Sequence, residues 1–515
     1  MTEPPFRRVL IANRGEIALR IIRACRDMGM GAIAVYSEAD AASAHVRAAD
    51  DAVLLGPATP SESYLRIDKV LDAALKTGAE AIHPGYGFLA ERAEFARAVE
   101  DAGLVFVGPS SSTIAALGDK LAARRVAREE GVPVVPGTFD AAPVERADQA
   151  EEILANAREV GFPLLVKAWA GGGGRGMRRV ERAEDLPAAL VSGSREAAAA
   201  FGDGAVYLER EVHPARHVEV QLLGDHHGRV VAVGERDCSI QRRHQKLIEE
   251  SPAPGLTAEQ RRRVHDLAVR AATAARLSNA ATAEFLLDPA GDFWFLEVNA
   301  RLQVEHGVTE LVSGLDLVRE QFLIAAGHPL SPEVLAAAST AAHPERHAIE
   351  VRLLAEDPAR GFVPTPGRVG TWRMPAGPSV RVDTALEAGE RVPPEYDPMI
   401  AKVMDVGPDR PRAIDRLRRA LDEIEVTGIQ TTLPFSRVVV RHPSFVTPDL
   451  AIDWVAQHWE PRTDRDRARD IALRVAATAS NGPPRFAPTA HVPAAEAPTA
   501  WAEAGRQAGV RRWPT

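Results

Sequence analysis

Short apolar runs alternate with helical patterns through the first third of the chain. Residues 8–12 form an apolar run of strand length, and residues 15–28 carry isoleucine and leucine at helical spacing. Comparable apolar runs follow at 32–36, at Ala81–His83 and at 104–108. Strands separated by helices predict βαβ units around a parallel sheet, so the expected fold class is α/β.

The pattern changes from about residue 121. Residues 121–130 predict a charged helix and residues 163–167 predict a strand. Alternating apolar and polar residues then predict further strands at 206–209, 217–223, 229–233, 284–287 and 293–298. The second and third of these strands are expected to form one hairpin, and the fourth and fifth another. A third region, 348–454, is rich in strand patterns and becomes helical from residue 411.

The composition is that of a globular protein with ample material for a core. The chain has 515 residues, 45% of them hydrophobic and 26% charged, which indicates about three domains. Lysine and arginine number 62 against 71 acidic residues, and the net charge of −9 argues against a nucleic-acid coat or a basic membrane binder. No apolar run reaches the length of about 18 residues that a membrane span needs. The two cysteines, Cys25 and Cys238, cannot form a disulfide framework, so we expect a reducing, cytoplasmic compartment.

Four consecutive glycines follow the strand predicted at 163–167. Residues 171–174, together with Gly176, let backbone N–H groups approach an anion closely because no Cβ intervenes. Lys167 and Arg175 add positive charge, so the run favours a loop that covers phosphate groups. A flexible surface turn is the alternative. The run is not a Walker A loop, because G-x-x-x-x-G-K-S/T does not occur in the chain.

The stretch 293–305 alternates apolar and polar residues with a period of two. The even positions from Trp294 to Val304 are apolar, which predicts that they face the core. The odd positions form a polar row that consists of Glu297, Asn299, Arg301, Gln303 and Glu305. The alternative is an amphipathic surface strand with a solvated ladder of ion pairs.

The polar row suggests a site for a cation and an anion. Glu297 and Asn299, with Glu284 on the facing strand of the hairpin, offer the oxygen ligands that Mg²⁺ prefers. Arg301 and Gln303 can hold a small planar oxyanion through a guanidinium fork and an amide. The last residue of the row is then a candidate base.

Residues 235–246 form a third segment, which is dense in hydrogen-bond donors and follows a predicted strand. Its basic residues are not interleaved with aromatic ones, so phosphate or carboxylate recognition is favoured over nucleic acid. A solvated charged loop is the alternative. Cys238 has no zinc-ligand partners in the sequence and is interpreted as a packing residue.

Together these segments predict a nucleotide, a divalent cation and a small oxyanion. The chain resembles the biotin carboxylases, the ATP-grasp enzymes of the biotin-dependent carboxylases, from about residue 6 to about residue 455. The resemblance is carried, in family order, by residues 11–18, 83–89, 118–120, 173–177, 235–246, 297–306 and 396–400. The most specific strings are R-D-C-S-x-Q-R-R-H-Q-K and E-x-N-x-R-x-Q-V-E-H.

The resemblance implies three catalytic domains and a tail. It implies a Rossmann-like preATP-grasp domain at 1–118, an ATP-grasp domain at 119–330 with a mobile lid at about 136–210, and a C-terminal biotin carboxylase domain at 345–458. The expected fold is therefore α/β with α+β elements. The tail, 461–515, is expected to be partly helical and then a linker rich in proline and alanine.

The resemblance also assigns roles to single residues. The implied ATP-binding residues are Lys120, Lys167, Gly173, Gly174, Glu209, Arg210, Glu211, Val212, His217, Gln241 and His244. The implied ligands of two Mg²⁺ or Mn²⁺ ions are Glu284, Glu297 and Asn299. The implied bicarbonate pocket consists of Lys246, Arg301, Gln303 and Val304. The implied catalytic residues are Arg301, Glu305, Lys246 and Arg352. Arg352 is also the implied contact to biotin.

The implied reaction is the ATP- and bicarbonate-dependent carboxylation of biotin through carboxyphosphate. Glu305 is expected to deprotonate bicarbonate, which then attacks the γ-phosphorus of ATP. Arg352 is expected to stabilise the oxyanion that develops on biotin. This reaction is the first half-reaction of an acetyl- or acyl-CoA carboxylase.

Biotin is expected to arrive as a carrier-bound substrate, because the Met-Lys-Met of biotinyl domains does not occur here. The expected partners are a carrier protein and a carboxyltransferase on separate chains, within a homodimer or a larger complex, with no nucleic acid and no membrane. Two alternatives stay open: another ATP-grasp ligase that joins a carboxylate to an amine, and an inactive nucleotide-binding scaffold. The chain departs from the family pattern at Trp169, Ala170 and Gly307, and the glycine is expected to loosen the chain beyond Glu305.

Overall fold

The structure is a computed structural model that describes residues 4–144, 150–169, 177–461 and 473–474. The chain divides into two compact units, residues 1–459 and 460–515. The predicted tail falls in the second unit and, apart from residues 461, 473 and 474, lies outside the described residues, as do Gly173 and Gly174 of the glycine run. Among the described residues we find no helix with the length and apolar character of a membrane span.

A parallel sheet forms the N-terminal part of the first unit. The elements are β1 (Arg8–Ile11), α1 (Gly15–Asp27), β2 (Gly31–Ser37), α2 (Ala44–Ala48), β3 (Asp51–Gly56), α3 (Ile67–Thr77), β4 (Ala81–His83), α4 (Ala93–Asp101), β5 (Val105–Phe106) and α5 (Ser111–Gly118). The strands stand in the order β3-β2-β1-β4-β5, and every pairing is parallel. The predicted α/β fold is confirmed here, because the apolar runs between helices are the buried strands.

The middle part contributes strands to two sheets. Its elements are α6 (Lys120–Glu129), β6 (Ala142–Pro143), α7 (Ala150–Val160), β7 (Leu164–Ala168), β8 (Arg178–Val180), α8 (Leu186–Phe201), β9 (Ala205–Arg210), β10 (Arg216–Gly224), β11 (Val230–Arg242), β12 (Gln245–Ser251), α9 (Ala258–Ala274), β13 (Asn279–Leu287), β14 (Phe293–Asn299), α10 (His306–Ser313), α11 (Leu317–Ala325) and α12 (Pro332–Thr340). A small antiparallel sheet has the order β6-β9-β7-β8.

The C-terminal part completes the large sheet. Its elements are β15 (His347–Leu354), β16 (Glu356–Asp357), β17 (Val363–Pro364), β18 (Gly367–Arg368), β19 (Trp372–Arg373), β20 (Val380–Asp383), β21 (Arg391–Val392), β22 (Met399–Gly407), α13 (Arg410–Glu423), β23 (Glu425–Val426), α14 (Leu433–Val439), α15 (Pro443–Val446) and α16 (Trp454–His458). The large sheet has the order β14-β13-β10-β11-β12-β15-β22-β20 and is antiparallel throughout. Residues more than 150 positions apart in sequence therefore share one sheet face.

The alternation predicted for 293–305 changes phase inside β14. The register of β14 against β13 shifts next to Glu284, so Leu296 is an extra residue at a β-bulge. Before the bulge the buried side chains are Phe293 and Phe295, so the prediction that Trp294 and Leu296 face the core is wrong. Because β14 ends at the second member of the polar row, the rest of that row lies in the following loop.

The donor-rich segment 235–246 is mostly strand rather than loop. β11 continues through Arg242, and β12 begins at Gln245, so the loop is reduced to a two-residue turn. Arg243 and His244 form this turn with positive φ angles of 50° and 64°. The donors before the turn are consequently held at fixed positions in the sheet.

Gly307 lies in the first turn of α10, buried against β22. A Cβ added to this glycine would lie 2.3 Å from the sulfur of Met404, a side chain that is itself fully buried. The Met404 side chain thus fills the space that a larger residue at position 307 would need.

We expect Gly307→Ala to destabilise the fold by about 1–3 kcal/mol, because the new methyl group overpacks against Met404. The same change in a Met404→Ala background should be neutral or stabilising, since alanine favours a helix over glycine. Urea unfolding of the four proteins measures this coupling. Gly118→Ala is the matched control, because no atom lies within 4 Å of its Cβ position. Equal stability of Gly307→Ala and the parent protein would contradict the packing argument.

Candidate functional site

Three carboxylates stand side by side across adjacent strands of the large sheet. Glu219 of β10 is opposite Glu284 of β13, and Glu284 is opposite Glu297 of β14. Like charges in directly opposed positions destabilise a sheet. This carboxylate row (Glu219, Glu284, Glu297) is therefore stable only if nearby cations offset the repulsion.

Basic side chains form ion pairs with the carboxylate row. The Lys246 ammonium lies 2.5 Å from Glu219 and 3.0 Å from Glu284, and the Lys120 ammonium lies 2.8 Å from Glu297. The buried guanidinium of Arg236 donates to Glu219 at 2.5 Å. The carboxylate row is thus neutralised by cations of the protein itself.

Glu305 is completely buried at the start of α10 and faces the same cations. One carboxylate oxygen lies 2.7 Å from the Lys246 ammonium, and the other lies 2.9 Å from the Arg352 guanidinium. Burial alone would raise the pKa of Glu305, but the charges of Lys246, Arg352 and Arg236 outweigh burial and hold the pKa well below its usual range. Glu305 is therefore ionised at neutral pH and able to accept a proton.

Arg352 connects Glu305 to a second pair of buried carboxylates. Its Nε lies 2.6 Å from Glu249, and Glu249 is opposite Glu350 across β12 and β15. Within the described ranges Glu350 has no hydrogen-bond partner, and the close contact of Glu249 is the ion pair with Arg352. Burial, opposed by Arg352 and reinforced by Glu305, raises the pKa of Glu249 to about 7, and burial raises the pKa of Glu350 as well. This Glu249–Glu350 pair therefore retains a proton near neutral pH.

The loop after β14 offers donors to an anion. The Gln303 side chain is buried, and its carbonyl oxygen accepts a hydrogen bond from Arg301 at 2.9 Å. Its amide nitrogen has no hydrogen-bond partner in the part of the chain that the structure describes. A buried donor without a partner is costly unless a ligand satisfies it. Arg301 also reaches Glu91 at 2.8 Å, and Val304 follows with its carbonyl directed to Lys402 at 2.9 Å.

Lys120 and Lys167 are the two lysines that the resemblance assigns to ATP. Lys167 is 2.5 Å from Glu209, and Lys120 is bound to Glu297 as described above. Burial would lower the pKa of each lysine, but Glu209 and Glu297 raise both pKa values, so both ammonium groups stay charged. The charge of Lys167 also acts on Lys120, which means that two cations converge on one region.

The resemblance also assigns His217 of β10, Gln241 of β11 and His244 of the turn after β11 to ATP. The His217 Nε2 is 3.2 Å from Glu284; burial opposes the charged ring, but Glu284 outweighs burial and raises the pKa of His217. Burial and the charges of Lys167 and His217 lower the pKa of His244, which shows that these groups are close. Gln241 is buried, and its amide reaches the Cys238 carbonyl at 3.4 Å.

Residues 209–212, which match the adenine hinge of the family by the resemblance, lie at the end of β9 and in the loop after it. The Arg210 guanidinium lies over the ring of Trp294, 5.4 Å from its centroid, and Glu211 binds Arg179 at 2.7 Å. Val212 follows in the next loop and is half-buried. The side chains of Arg210 and Glu211 are therefore engaged within the protein, and so are their N–H groups, which donate to the Pro136 and Pro163 carbonyls at 2.8 and 3.0 Å.

The oxygen atoms of Glu284, Glu297 and Asn299 fit a hard divalent cation. Glu284 and Glu297 are directly opposed, and the Asn299 amide donates to Glu284 at 2.9 Å. Carboxylate and amide oxygens are the ligands that Mg²⁺ prefers, and Mn²⁺ accepts the same set. A cation bound here would also relieve the repulsion within the carboxylate row.

Sequence reasoning assigned no individual role to four charged residues of this site: Glu219, Arg236, Glu249 and Glu350. A signal for Glu219 existed, because His217 and Gln221 flank it with period-two spacing on the same face of β10. Arg236 lies in the donor-rich segment 235–246 and is opposite Glu219 in the β10–β11 hairpin. Glu249 and Glu350 carry no local signal, since the register between distant strands brings them together.

Three family models match this chain. The model described as "Biotin carboxylase, N-terminal domain" matches residues 5–114, and "Biotin carboxylase C-terminal domain" matches residues 350–457. Between them, "Carbamoyl-phosphate synthase L chain, ATP binding domain" matches residues 119–333. The matches run in the order that the motifs predict.

Curated relatives and solved structures agree with these matches. The chain is 46% identical over 461 residues to the biotin carboxylase of Halalkalibacterium halodurans, which covers 90% of this chain and 100% of that protein. It is 48% identical over 456 residues to the biotin-dependent acyl-coenzyme A carboxylase alpha3 subunit of Mycobacterium leprae, covering 88% of this chain and 74% of the relative. The biotin carboxylase domain dimer of Hydrogenobacter thermophilus 2-oxoglutarate carboxylase, solved with MgADP, ADP and bicarbonate, has a TM-score of 0.82 at 41% identity and covers 88% of this chain and 98% of that chain.

We expect Glu249→Gln to change how stability depends on pH. In the parent protein the folded state keeps a proton that the unfolded carboxyl, with its ordinary value of 4.5, has lost, so stability falls as pH rises from there through about 7. Glutamine cannot ionise, so the variant should gain stability relative to the parent as pH rises. Urea unfolding at about pH 5 and about pH 8 measures the difference.

The matched control is Glu250→Gln, on the opposite face of the same strand. His347 and Arg410 outweigh the effect of burial and lower the pKa of Glu250 to about 2, so that its charge stabilises the fold throughout this pH range. This variant should therefore be less stable than the parent at both pH values. A Glu249→Gln variant with the same loss at both pH values would contradict the raised pKa.

Proposed function

Because the chain belongs to the biotin carboxylase family, we propose that it catalyses the ATP- and bicarbonate-dependent carboxylation of biotin as an ATP-dependent ligase. Bicarbonate attacks the γ-phosphorus of ATP to give carboxyphosphate and ADP. Carboxyphosphate then yields CO₂ and phosphate, the phosphate removes the N1′ proton of biotin, and N1′ takes up the CO₂. The observation that carries the proposal is an ionised, buried Glu305 in one short loop with the unpartnered amide nitrogen of Gln303.

Glu305 acts as the base in the first step. Its carboxylate accepts the proton of bicarbonate, while Lys246 and Arg352 balance the charge that remains nearby. Arg301 and the Gln303 amide orient the oxyanion, and the Val304 backbone borders it. Positioning supplies much of the rate in phosphoryl transfer, so these contacts do more than bind.

The phosphate chain of ATP lies, in this proposal, along Lys120 and Lys167. Both ammonium groups are charged, and His217, Gln241 and His244 lie alongside them. Glu284, Glu297 and Asn299 would hold Mg²⁺ or Mn²⁺, which supplies positive charge beside the phosphate oxygens. In this structure Lys246 is paired with Glu284, and Lys120 is paired with Glu297. These two ion pairs are expected to rearrange when the cation binds.

Arg352 serves the second step. Its guanidinium is held by Glu305 on one side and by Glu249 on the other, which fixes its direction. A fixed cation next to the developing ureido oxyanion of biotin lowers the barrier to carboxylation. We assign Arg352 to biotin for this reason.

The competing functions are less well supported. The model that matches the middle of the chain is shared with carbamoyl-phosphate synthase, but both flanking models and the relatives above are biotin carboxylases. An inactive scaffold would not need Lys246 and Arg352 to hold Glu305 ionised in the same loop as the Gln303 amide nitrogen, which has no partner among the described residues.

We propose a carboxylase complex as the setting of this reaction. A carrier protein would present biotin, and a carboxyltransferase would receive it, both on separate chains; a homodimer follows the dimeric domain of the Hydrogenobacter thermophilus enzyme. The Mycobacterium leprae relative favours an acyl-CoA as final acceptor. Both cysteines are buried and unpaired, which fits the cytoplasm.

Arg352→Gln tests the division of labour between the two steps. We expect bicarbonate-dependent ADP release to survive better than carboxylation of free biotin, with carboxylation reduced at least about tenfold more. The two rates are measured on the same preparation. Arg410→Gln is the control, because the Arg410 side chain is 11% exposed, close to the 12% of Arg352, and is paired with Glu250 away from this site; it should lower both rates equally or not at all. Equal loss of both activities in Arg352→Gln would contradict the assigned role.

A further inference from the structure

Three of the segments that carry the family resemblance make no contact with the substrates in the account above. They are residues 11–18, 83–89 and 396–400, which lead into α1, follow β4 and lead into β22. The structure brings Glu16 of the first segment and Tyr86 of the second to a single buried point with Lys402, which lies two residues beyond the third. At that point the Lys402 ammonium reaches the backbone carbonyl of Val304.

Lys402 is the centre of this cluster. Its side chain is completely buried on β22, and its ammonium donates a hydrogen bond to the Val304 carbonyl at 2.9 Å. The same ammonium lies 3.2 Å from Glu16 and 3.7 Å from Asp383. Burial of a lysine is unfavourable unless the ammonium is paired and hydrogen-bonded, and these contacts meet both conditions.

The surroundings of Lys402 are themselves fixed. The Tyr86 hydroxyl donates to Glu16, and the Tyr86 ring centroid lies 5.9 Å from the Lys402 ammonium. The Asn13 amide donates to the Pro84 and Tyr86 carbonyls at 2.7 and 2.8 Å, which holds the loop after β4 in place. The Lys402 ammonium therefore has one well-defined position.

The Val304 carbonyl differs from its neighbours in the source of its partner. The Gln303 carbonyl is contacted by His306 at 2.8 Å, and the Glu305 carbonyl accepts from Val308 at 3.3 Å, so both are satisfied within the turn. Val304 depends instead on a residue 98 positions further along the chain. The orientation of its peptide group is thus set by tertiary structure.

Fixing this carbonyl fixes more than one atom. The peptide bond is planar, so the direction of the Val304 carbonyl sets the N–H and the Cα of Glu305. The Glu305 carboxylate starts from that Cα, and the Gln303 amide lies one residue to the other side. A rotation of this peptide would move the base and the oxyanion donor relative to each other.

We propose that Lys402 is a positioning residue that sets the bicarbonate pocket by holding the peptide between Val304 and Glu305. The proposal rests on the proposed function, since it assigns a role within the first step. Lys402 does not touch the substrates; it acts through the loop 303–305. The three motif segments consequently form the support of the base rather than a second site.

Steady-state kinetics of Lys402→Met tests the proposal. We expect the KM for bicarbonate to rise at least about tenfold while the KM for ATP stays within about twofold, because the ATP contacts come from other strands. Lys69→Met is the matched control: Lys69, on α3 of the N-terminal part, also donates to backbone carbonyls, those of Leu55 and Glu62. It should leave both KM values unchanged.

Two further variants keep the test decisive if Lys402→Met does not fold. Lys402→Met combined with Glu16→Gln removes the carboxylate that would otherwise be left unpaired. Lys402→Arg retains the buried charge but cannot reproduce the single ammonium–carbonyl contact, so the bicarbonate KM should rise at least about threefold. A parental bicarbonate KM in any folded Lys402 variant, or an equal rise of both KM values, overturns the proposal. Parent protein without bicarbonate-dependent ATP cleavage would instead reject the proposed function.

Discussion

The need to keep the Glu305 carboxylate charged while it is completely buried governs the arrangement of this site. An isolated carboxylate in such a place would take up a proton, because burial disfavours the charged form. Lys246 and Arg352 prevent this at 2.7 and 2.9 Å, and each of them is in turn shared with another carboxylate. Every ion pair near Glu305 is therefore part of a longer chain of alternating charges.

The large antiparallel sheet makes that chain possible. Strands from the middle and the C-terminal parts of the sequence lie side by side, so their side chains meet at fixed spacings of a few ångströms. The carboxylate row on β10, β13 and β14 provides negative charge at one end, and the Glu249–Glu350 pair provides it on β12 and β15. Lys246 is held by the carboxylate row and Arg352 by Glu249, and both cations also reach Glu305.

The sequence predicted the parts of this structure that depend on local pattern. The parallel strands of the N-terminal sheet, the helix after the first strand and the hairpin around β13 and β14 all follow from apolar runs and their spacing. The β-bulge at Leu296 does not, because alternation cannot reveal an inserted residue, and the burial of Trp294 was predicted incorrectly for that reason. Glu249, Glu350 and Lys402 could not be assigned either, since their roles arise from pairings between strands far apart in sequence.

The most direct test of the account is single-turnover transfer of label from radioactive bicarbonate to free biotin. The account predicts labelled carboxybiotin when ATP, Mg²⁺, bicarbonate and biotin are all present, and a loss of about 100-fold or more in rate for Glu305→Gln, as expected when a positioned base is removed. Release of ADP without transfer of label to biotin would contradict the account. So would an unchanged rate of transfer in the Glu305→Gln protein.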